Sequence, residues 1–307
     1  MIQASPRTNA EQIEYWNGEV GRRWVRRQET LDRVFAPLTA ALLERAAPRP
    51  GERALDVGCG CGTTALDLAE RVGTAGHVFA ADVSRPMLDH ARARAAAAHG
   101  EARAPIEWLE ADATVYRFGR PVDLLLSRFG VMFFADPAAA FANLRRALKP
   151  GGRLVMLCWR AREENPWVAV PLGAVLRVVP PPEPAAPDAP GPFAFADAGR
   201  VERILAEAGF GGIASEPCDA RLVVGGEGRD SSDGDALEEA TEFLLEVGPV
   251  AALLKGTEAE TREHARAGVL EALRPYAREG RVELGAGCWL FRAVSPAAPA
   301  ATPGARG

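Results

Sequence analysis

Residues 53–64 read Arg-Ala-Leu-Asp-Val-Gly-Cys-Gly-Cys-Gly-Thr-Thr. An apolar run (Ala54, Leu55, Val57) enters three glycines at alternate positions, Gly58, Gly60 and Gly62. An apolar helical pattern follows, with Leu66, Leu68, Ala69 and Val72 on one side. A strand, a glycine turn and a helix in that order form one α/β unit. Glycine adopts unusual dihedrals and has no side chain, so a ligand can lie against bare backbone at such a turn.

Two ligand classes use this device. A dinucleotide site requires G-x-G-x-x-G, with the pyrophosphate on the helix N-terminus. Here the third glycine comes one residue early, and Thr63 stands where the dinucleotide pattern needs glycine. Asp56 precedes the first glycine by two residues, where a carboxylate repels a pyrophosphate and attracts a cation. The combination suits a ligand with sulfonium and ammonium groups and no phosphate.

The alternation continues downstream. Residues 77–81, 106–109, 122–126 and 153–159 are apolar runs. Helical patterns lie between them, at 84–99, where Ser84 can serve as N-cap, and at 137–148. Nearly continuous apolar strands separated by helices predict a parallel sheet covered on both faces. Upstream, residues 11–47 carry apolar side chains at helical spacing, interrupted at Pro37. Tyr15-Trp16-Asn17-Gly18 forms an aromatic patch there, read as a staple or as a lid over the ligand.

After Trp159 the pattern breaks. A Pro-rich run at 180–192 predicts a stiff extended connection. A helix at 197–208, a sixth strand at 213–224, helices at 236–254 and 258–277, and a last strand at 282–293 follow. This divides the chain into an N-terminal helical segment (1–50), a ligand-binding core (51–160), cap insertions with the last core elements (161–294), and a disordered tail (295–307).

Polar residues fall at the carboxyl ends of the strands, where a doubly wound sheet binds ligands. Asp82 ends the second strand, 24 residues after Gly58. Its carboxylate can accept both hydroxyls of a ribose. Asp112 follows the third strand and can accept from an adenine amino group, with the Ala113 N–H donating to a ring nitrogen. Ser127, Arg128 and Phe129 close the fourth.

A net charge of −5 over 307 residues argues against a nucleic-acid partner. The basic cluster of Arg22, Arg23, Arg26 and Arg27 reads as a solvated helix face, since Glu29 and Asp32 follow closely. The five cysteines show no metal or disulfide spacing, which predicts reduced thiols in a cytoplasmic protein. No run approaches the roughly 18–20 apolar residues of a membrane helix.

Taken together, Asp56–Gly62 resembles the first motif of the class I S-adenosylmethionine-dependent methyltransferases. Asp82 matches their ribose acid, Asp112 and Ala113 their adenine contact, and residues 148–152 the turn before their fifth strand. Residues 127–137 and 148–152 look most like the branch that includes ubiquinone/menaquinone-type methyltransferases. The segments at 160–196 and 226–279 depart from that branch.

The resemblance implies a Rossmann-like, doubly wound seven-stranded sheet with the last strand antiparallel, carrying helical cap insertions. It implies S-adenosyl-L-methionine as cofactor, held by Trp16, Asp56, Gly58, Gly60, Gly62, Asp82, Val83, Met87, Asp112, Ala113, Ser127 and Arg128. The small, hydrophobic or aromatic acceptor is expected against Phe129, Met132, Asn165 and Trp167, with Phe133 beside them. No general base and no metal ligands stand out. His77, His90, His99 and His264 fall away from the strand ends, whereas Glu163 and Glu164 could face the acceptor. A monomer or homodimer is expected. Alternatives are a non-catalytic S-adenosylmethionine-binding subunit and an NAD-dependent oxidoreductase.

Overall fold

The computed structural model describes residues 9–98, 103–183, 186, 189–226 and 232–296. Its centre is one sheet with strands β1 (Arg53–Val57), β2 (His77–Asp82), β3 (Ile106–Glu110), β4 (Val122–Arg128), β5 (Leu148–Trp159), β6 (Gly211–Gly225), β7 (Ala277–Arg278) and β8 (Arg281–Val294). The order is β3-β2-β1-β4-β5-β8-β6, with β7 paired to β8. Strands β1 to β5 are parallel, and β8 runs antiparallel between β5 and β6. Among the described residues there are thus eight strands rather than the expected seven. The extra one is the two-residue β7, the short arm of a hairpin with β8.

The inner strands are buried along nearly their whole length, as a sheet covered on both faces requires. Edge strand β6 instead alternates between half-buried and exposed positions until its last four residues. The strand order reverses between β1 and β4, which places a crevice at their carboxyl ends.

The N-terminal region is four short helices rather than one pattern broken at Pro37. These are α1 (Ala10–Asn17), α2 (Glu19–Arg26), α3 (Gln28–Val34) and α4 (Ala36–Ala46). Breaks fall at Gly18, Arg27 and Phe35, and Pro37 lies in the first turn of α4, where its missing N–H is harmless. Leu38, Leu42 and Leu43 of α4 are fully or almost fully buried.

Helix α5 (Thr63–Val72) buries Ala65, Leu68, Ala69 and Val72 against the sheet, while Leu66 is only half-buried. Helix α6 (Arg85–Ala97) follows Ser84, whose hydroxyl does not cap it but donates to the Trp16 carbonyl (2.8 Å). His99 and Gly100, expected at its end, lie outside the described residues. Helix α7 (Pro137–Ala147) is capped by Asp136, which accepts from Ala139 N–H (2.9 Å).

Beyond β5 come α8 (Pro166–Val175), α9 (Ala198–Glu207), α10 (Asp233–Glu246), α11 (Gly248–Leu253) and α12 (Ala259–Leu273). Helices α8, α10, α11 and α12 pack on one another, and α10 also rests on β6 and β8. Of the expected tail, Ser295 is buried and exchanges backbone hydrogen bonds with Gly151 and Gly152 (both 2.8 Å). Residues 297–307 lie outside the described range. Among the described residues no helix is long and apolar enough to cross a membrane.

Candidate active site

A cavity of about 820 Å³ opens at the carboxyl ends of β1, β2 and β4. Helices α1 to α3 border it on one side and α11 on another. One end is polar and built on the glycine turn. The other is aromatic and reaches the C-terminal helices.

At the polar end the turn lies bare. Gly58 and Gly60 line the cavity. Gly58 has φ +69°, and a Cβ there would stand 2.6 Å from the Cα of Gly130, so the turns after β1 and β4 touch backbone to backbone. Gly58 is therefore required first by this crossing. Gly62 does not line the cavity; it opens α5 with φ +87° and packs against Trp108 and Ala91.

Asp82 ties this end together. Its Oδ2 accepts from Gly60 N–H and its Oδ1 from Ser84 N–H, both at 2.8 Å. Burial raises its pKa above the ordinary carboxylate value, against the backbone N–H groups of Ser84, Gly60 and Val83, which lower it. Each carboxylate oxygen still has a lone pair for a ligand hydroxyl. Val83, Met87, Asp112 and Ala113 line the same end. Asp112 Oδ1 accepts from Asn9 Nδ2 (2.8 Å) and Thr114 N–H (2.9 Å), and its Oδ2 accepts none among the described residues.

Besides Gly62, two more expected cofactor residues lie elsewhere. Asp56 is fully buried under the turn, with Oδ2 accepting from Thr64 Oγ1 (2.5 Å) and Oδ1 without a partner. It does not line the cavity, so it is not the cation-facing carboxylate its position suggested, and burial pushes its pKa up to about 7. Ser127 is also buried and donates to the Val57 carbonyl (2.7 Å), clamping β4 to β1. Arg128 does line the cavity. Its guanidinium donates to Thr39 Oγ1 (2.6 Å) and has no carboxylate in ion-pair range among the described residues. Burial lowers its pKa, and Asp32, Asp56 and Asp67 oppose that shift.

The aromatic end is organised by Phe129. Its φ is +63°, a conformation rare for a side chain of this size. That backbone lays its ring flat on Trp159, with centroids 4.0 Å apart and planes 6° from parallel. Phe35 packs edge-on to Phe129, and Trp167 lies 5.0 Å from Trp159. Met132 lines the cavity and accepts from Trp159 N–H through Sδ (3.4 Å). Trp16 and Phe133 meet edge to face at 5.0 Å across the opening.

Asn165 is not part of this wall. It is buried, its Nδ2 donates to the Arg160, Ala161 and Gly287 carbonyls, and its Oδ1 accepts from Gly287 N–H and Trp167 Nε1. It staples the turn after β5 to β8 and has no group left for a ligand. Glu163 and Glu164 also miss the cavity; they are exposed and pair with Arg162 and Arg160.

Sequence reasoning passed over Trp159, although it ends a strand as Asp82 and Arg128 do. It also missed Asn9, Gln12, Phe193 and the α11 residues Pro249 and Ala251, which carry no local signal. A further network seats α3 on the turn. Asp32 accepts from Gln28, Thr63 and Arg94, and Arg94 donates to the Cys61 carbonyl. Among the described residues no histidine lines the cavity, and no group of three His, Cys, Asp or Glu residues could hold a metal ion.

Residues 54–152 match a family model described as a methyltransferase domain. The chain is 36% identical over 118 residues to the ubiquinone/menaquinone biosynthesis C-methyltransferase of Ruegeria sp. strain TM1040, covering 38% of this chain and 46% of that protein. It is 32% identical over 129 residues to the aklanonic acid methyltransferase of Streptomyces sp. strain C5, covering 41% and 58%. The chain thus spans about half the length of the curated relatives it matches. Among solved structures, phosphoethanolamine N-methyltransferase 2 of Haemonchus contortus superposes with a TM-score of 0.54 at 19% identity, covering 95% of this chain and 60% of that one. That likeness shows a shared fold. Residues 160–196 and 226–279, expected to depart from the quinone branch, lie outside the matched range.

Proposed function

With a methyltransferase domain at residues 54–152 as the premise, we propose that this protein transfers a methyl group from S-adenosyl-L-methionine to a small apolar or aromatic acceptor. The observation that carries the reading is a single cavity joining a bare glycine turn with two acids to a wall of stacked aromatic rings.

The polar groups at this end fit the cofactor. Asp82 has lone pairs for ribose hydroxyls, and Asp112 Oδ2 has one for an adenine amino group. Ala113 lies beside Asp112 with its carbonyl already taken by Asn143 Nδ2 (2.8 Å), which fixes that loop. Arg128 offers a guanidinium to the amino-acid carboxylate. When bound, S-adenosylmethionine supplies a methyl group already activated on a sulfonium.

The chain's task is to position and to exclude water. Phe129, Trp159 and Trp167 are almost fully buried and turn what surface remains to the cavity, an apolar wall against which an aromatic acceptor packs, with ring contacts worth about 0.5–1.5 kcal/mol beyond area burial. Met132 and Phe133 close that end. Trp16 sits where the two ends meet and shields the reacting centre. Holding the acceptor in line at near-attack distance removes much of the entropic part of the barrier.

The test is calorimetric titration with S-adenosylmethionine and, separately, NADH, on the wild type and Asp82→Ala. The expected result is binding of the first ligand only, weakened in the variant by about 1–3 kcal/mol, the scale of a lost charged hydrogen bond. Tighter binding of NADH, or no binding of S-adenosylmethionine, overturns the reading. Transfer of a labelled methyl group to hydroxylated aromatic acceptors then separates an enzyme from a binding subunit.

A further inference from the structure

The first helix crosses the nucleoside end of the cavity and is tied down on both sides. At its start, Asn9 Nδ2 donates to Asp112 Oδ1 (2.8 Å) and Thr114 Oγ1 (3.0 Å), and Asn9 Oδ1 accepts from Ala135 N–H (2.8 Å). At its end, Asn17 Nδ2 donates to the Val83 carbonyl (2.8 Å), and Asn17 Oδ1 accepts from Arg85 N–H (3.0 Å). Helix α1 therefore spans from the Asp112 loop to the Asp82 loop. These are the two loops that would hold the base and the ribose.

Asn9, Gln12 and Trp16 follow one another at spacings of three and four, share one helical face, and all line the cavity. Gln12 is the middle member. Its Oε1 is buried and accepts no hydrogen bond. A buried carbonyl oxygen without a donor is unfavourable, and native structures rarely keep one without a reason. Asn9 and Asn17 spend their amides on the protein, whereas the Gln12 side chain lines the cavity with its acceptor closed off and unused.

We propose that Gln12 reads the nucleoside. Its side chain turns into the cavity it already lines, and Oε1 accepts a hydrogen bond from a donor of the bound cofactor, either the exocyclic amino group or a ribose hydroxyl. This rests on the S-adenosylmethionine reading above. The first helix is then part of the cofactor site as well as its cover. Asn9 takes one oxygen of Asp112 and leaves the other for the base, so seating the helix and binding the nucleoside reinforce each other.

The experiment is calorimetry on the full chain, wild type and Gln12→Met, which keeps side-chain length and removes the amide oxygen. The ligands are S-adenosylhomocysteine, S-inosylhomocysteine, which lacks the amino group, and the 2′-deoxy and 3′-deoxy analogues. Gln12→Met is expected to weaken S-adenosylhomocysteine by about tenfold, the upper range for one neutral hydrogen bond. It should leave nearly unchanged the affinity for whichever analogue lacks the recognised donor. Its melting temperature without ligand is expected not to fall, because an unsatisfied acceptor is removed.

Unchanged binding of S-adenosylhomocysteine by Gln12→Met overturns the proposal, as does an equal loss for every analogue. If the wild type binds S-adenosylhomocysteine and Asp82→Ala weakens it while Gln12→Met does not, only the Gln12 inference fails. A wild type that does not bind it at all sinks both readings.

Discussion

Asp56 shows how far burial alone can move one residue away from the role its position suggests. It precedes the first glycine, but the chain folds it beneath the turn, where only Thr64 reaches it. Its pKa in the folded state, raised by burial to about 7, lies above the ordinary carboxylate value of 3.8. The folded state therefore holds this proton more tightly than the unfolded chain. The stability that goes with the proton is complete below about pH 4 and is lost as pH rises to about 7. Asp56→Asn is expected to flatten the dependence of melting temperature on pH across that window. Above pH 7 it should be the more stable protein, because it carries no group that must lose a proton in a buried site. Thermal melts of both proteins from pH 4 to 8 check this; an unchanged slope would assign the titration to Asp67 or Asp82, whose pKa values burial also raises. Asp82 and Asp112 do line the cavity, because the carboxyl end of a parallel strand points at the crevice whatever packs around it. Trp159 obeys the same rule but was hidden by its apolar character, which reads equally well as core. Asn9 and Gln12 carried no signal, since Asn9 meets Asp112 across 103 positions of chain.

At the scale of elements, the glycine turn is a crossing of two backbones. Gly58 meets Gly130 with no room for a side chain on either, and a Cβ on Gly130 would stand 2.7 Å from the Val57 carbonyl oxygen. Gly58→Ala is expected to cost about 1–2 kcal/mol for the left-handed backbone alone. The contact with Gly130 adds to that, for a total of about 3 kcal/mol or more. Urea denaturation measures it, and a loss below about 1 kcal/mol would mean that the two turns separate freely. The N-terminal helices follow a different logic. Their apolar spacing announces helix correctly, but the breaks at Gly18, Arg27 and Phe35 follow from wrapping around the cavity rim. Arg27 pairs with Glu246 at the end of α10 (2.6 Å), joining the rim to the C-terminal helices. Both side chains are partly open to solvent, so Glu246→Gln is expected to change stability by less than about 1 kcal/mol, as chemical denaturation would show.

For the whole molecule, the region matching the methyltransferase family does not finish its own sheet. Strand β5 pairs along Arg153–Trp159 with β8, a strand more than 120 residues further on. Removing β8 would leave a long apolar edge unpaired, a template for aggregation. A chain ending at residue 160 is expected to be insoluble or to lack a cooperative melt, whereas the full chain melts cooperatively; circular dichroism on both checks this. By itself the sequence determined the strand–turn–helix unit, the parallel strands, and the acids at their ends. Each depends on residue types within a few positions of one another, where local geometry decides. The tertiary structure alone decided that Asp56 and Asn165 serve the scaffold and that α11 walls the aromatic end. It also decided that α1 lies across the polar end of the cavity with Gln12 in its lining. Those outcomes depend on which distant surfaces exclude water from one another, and no local pattern of residues encodes that.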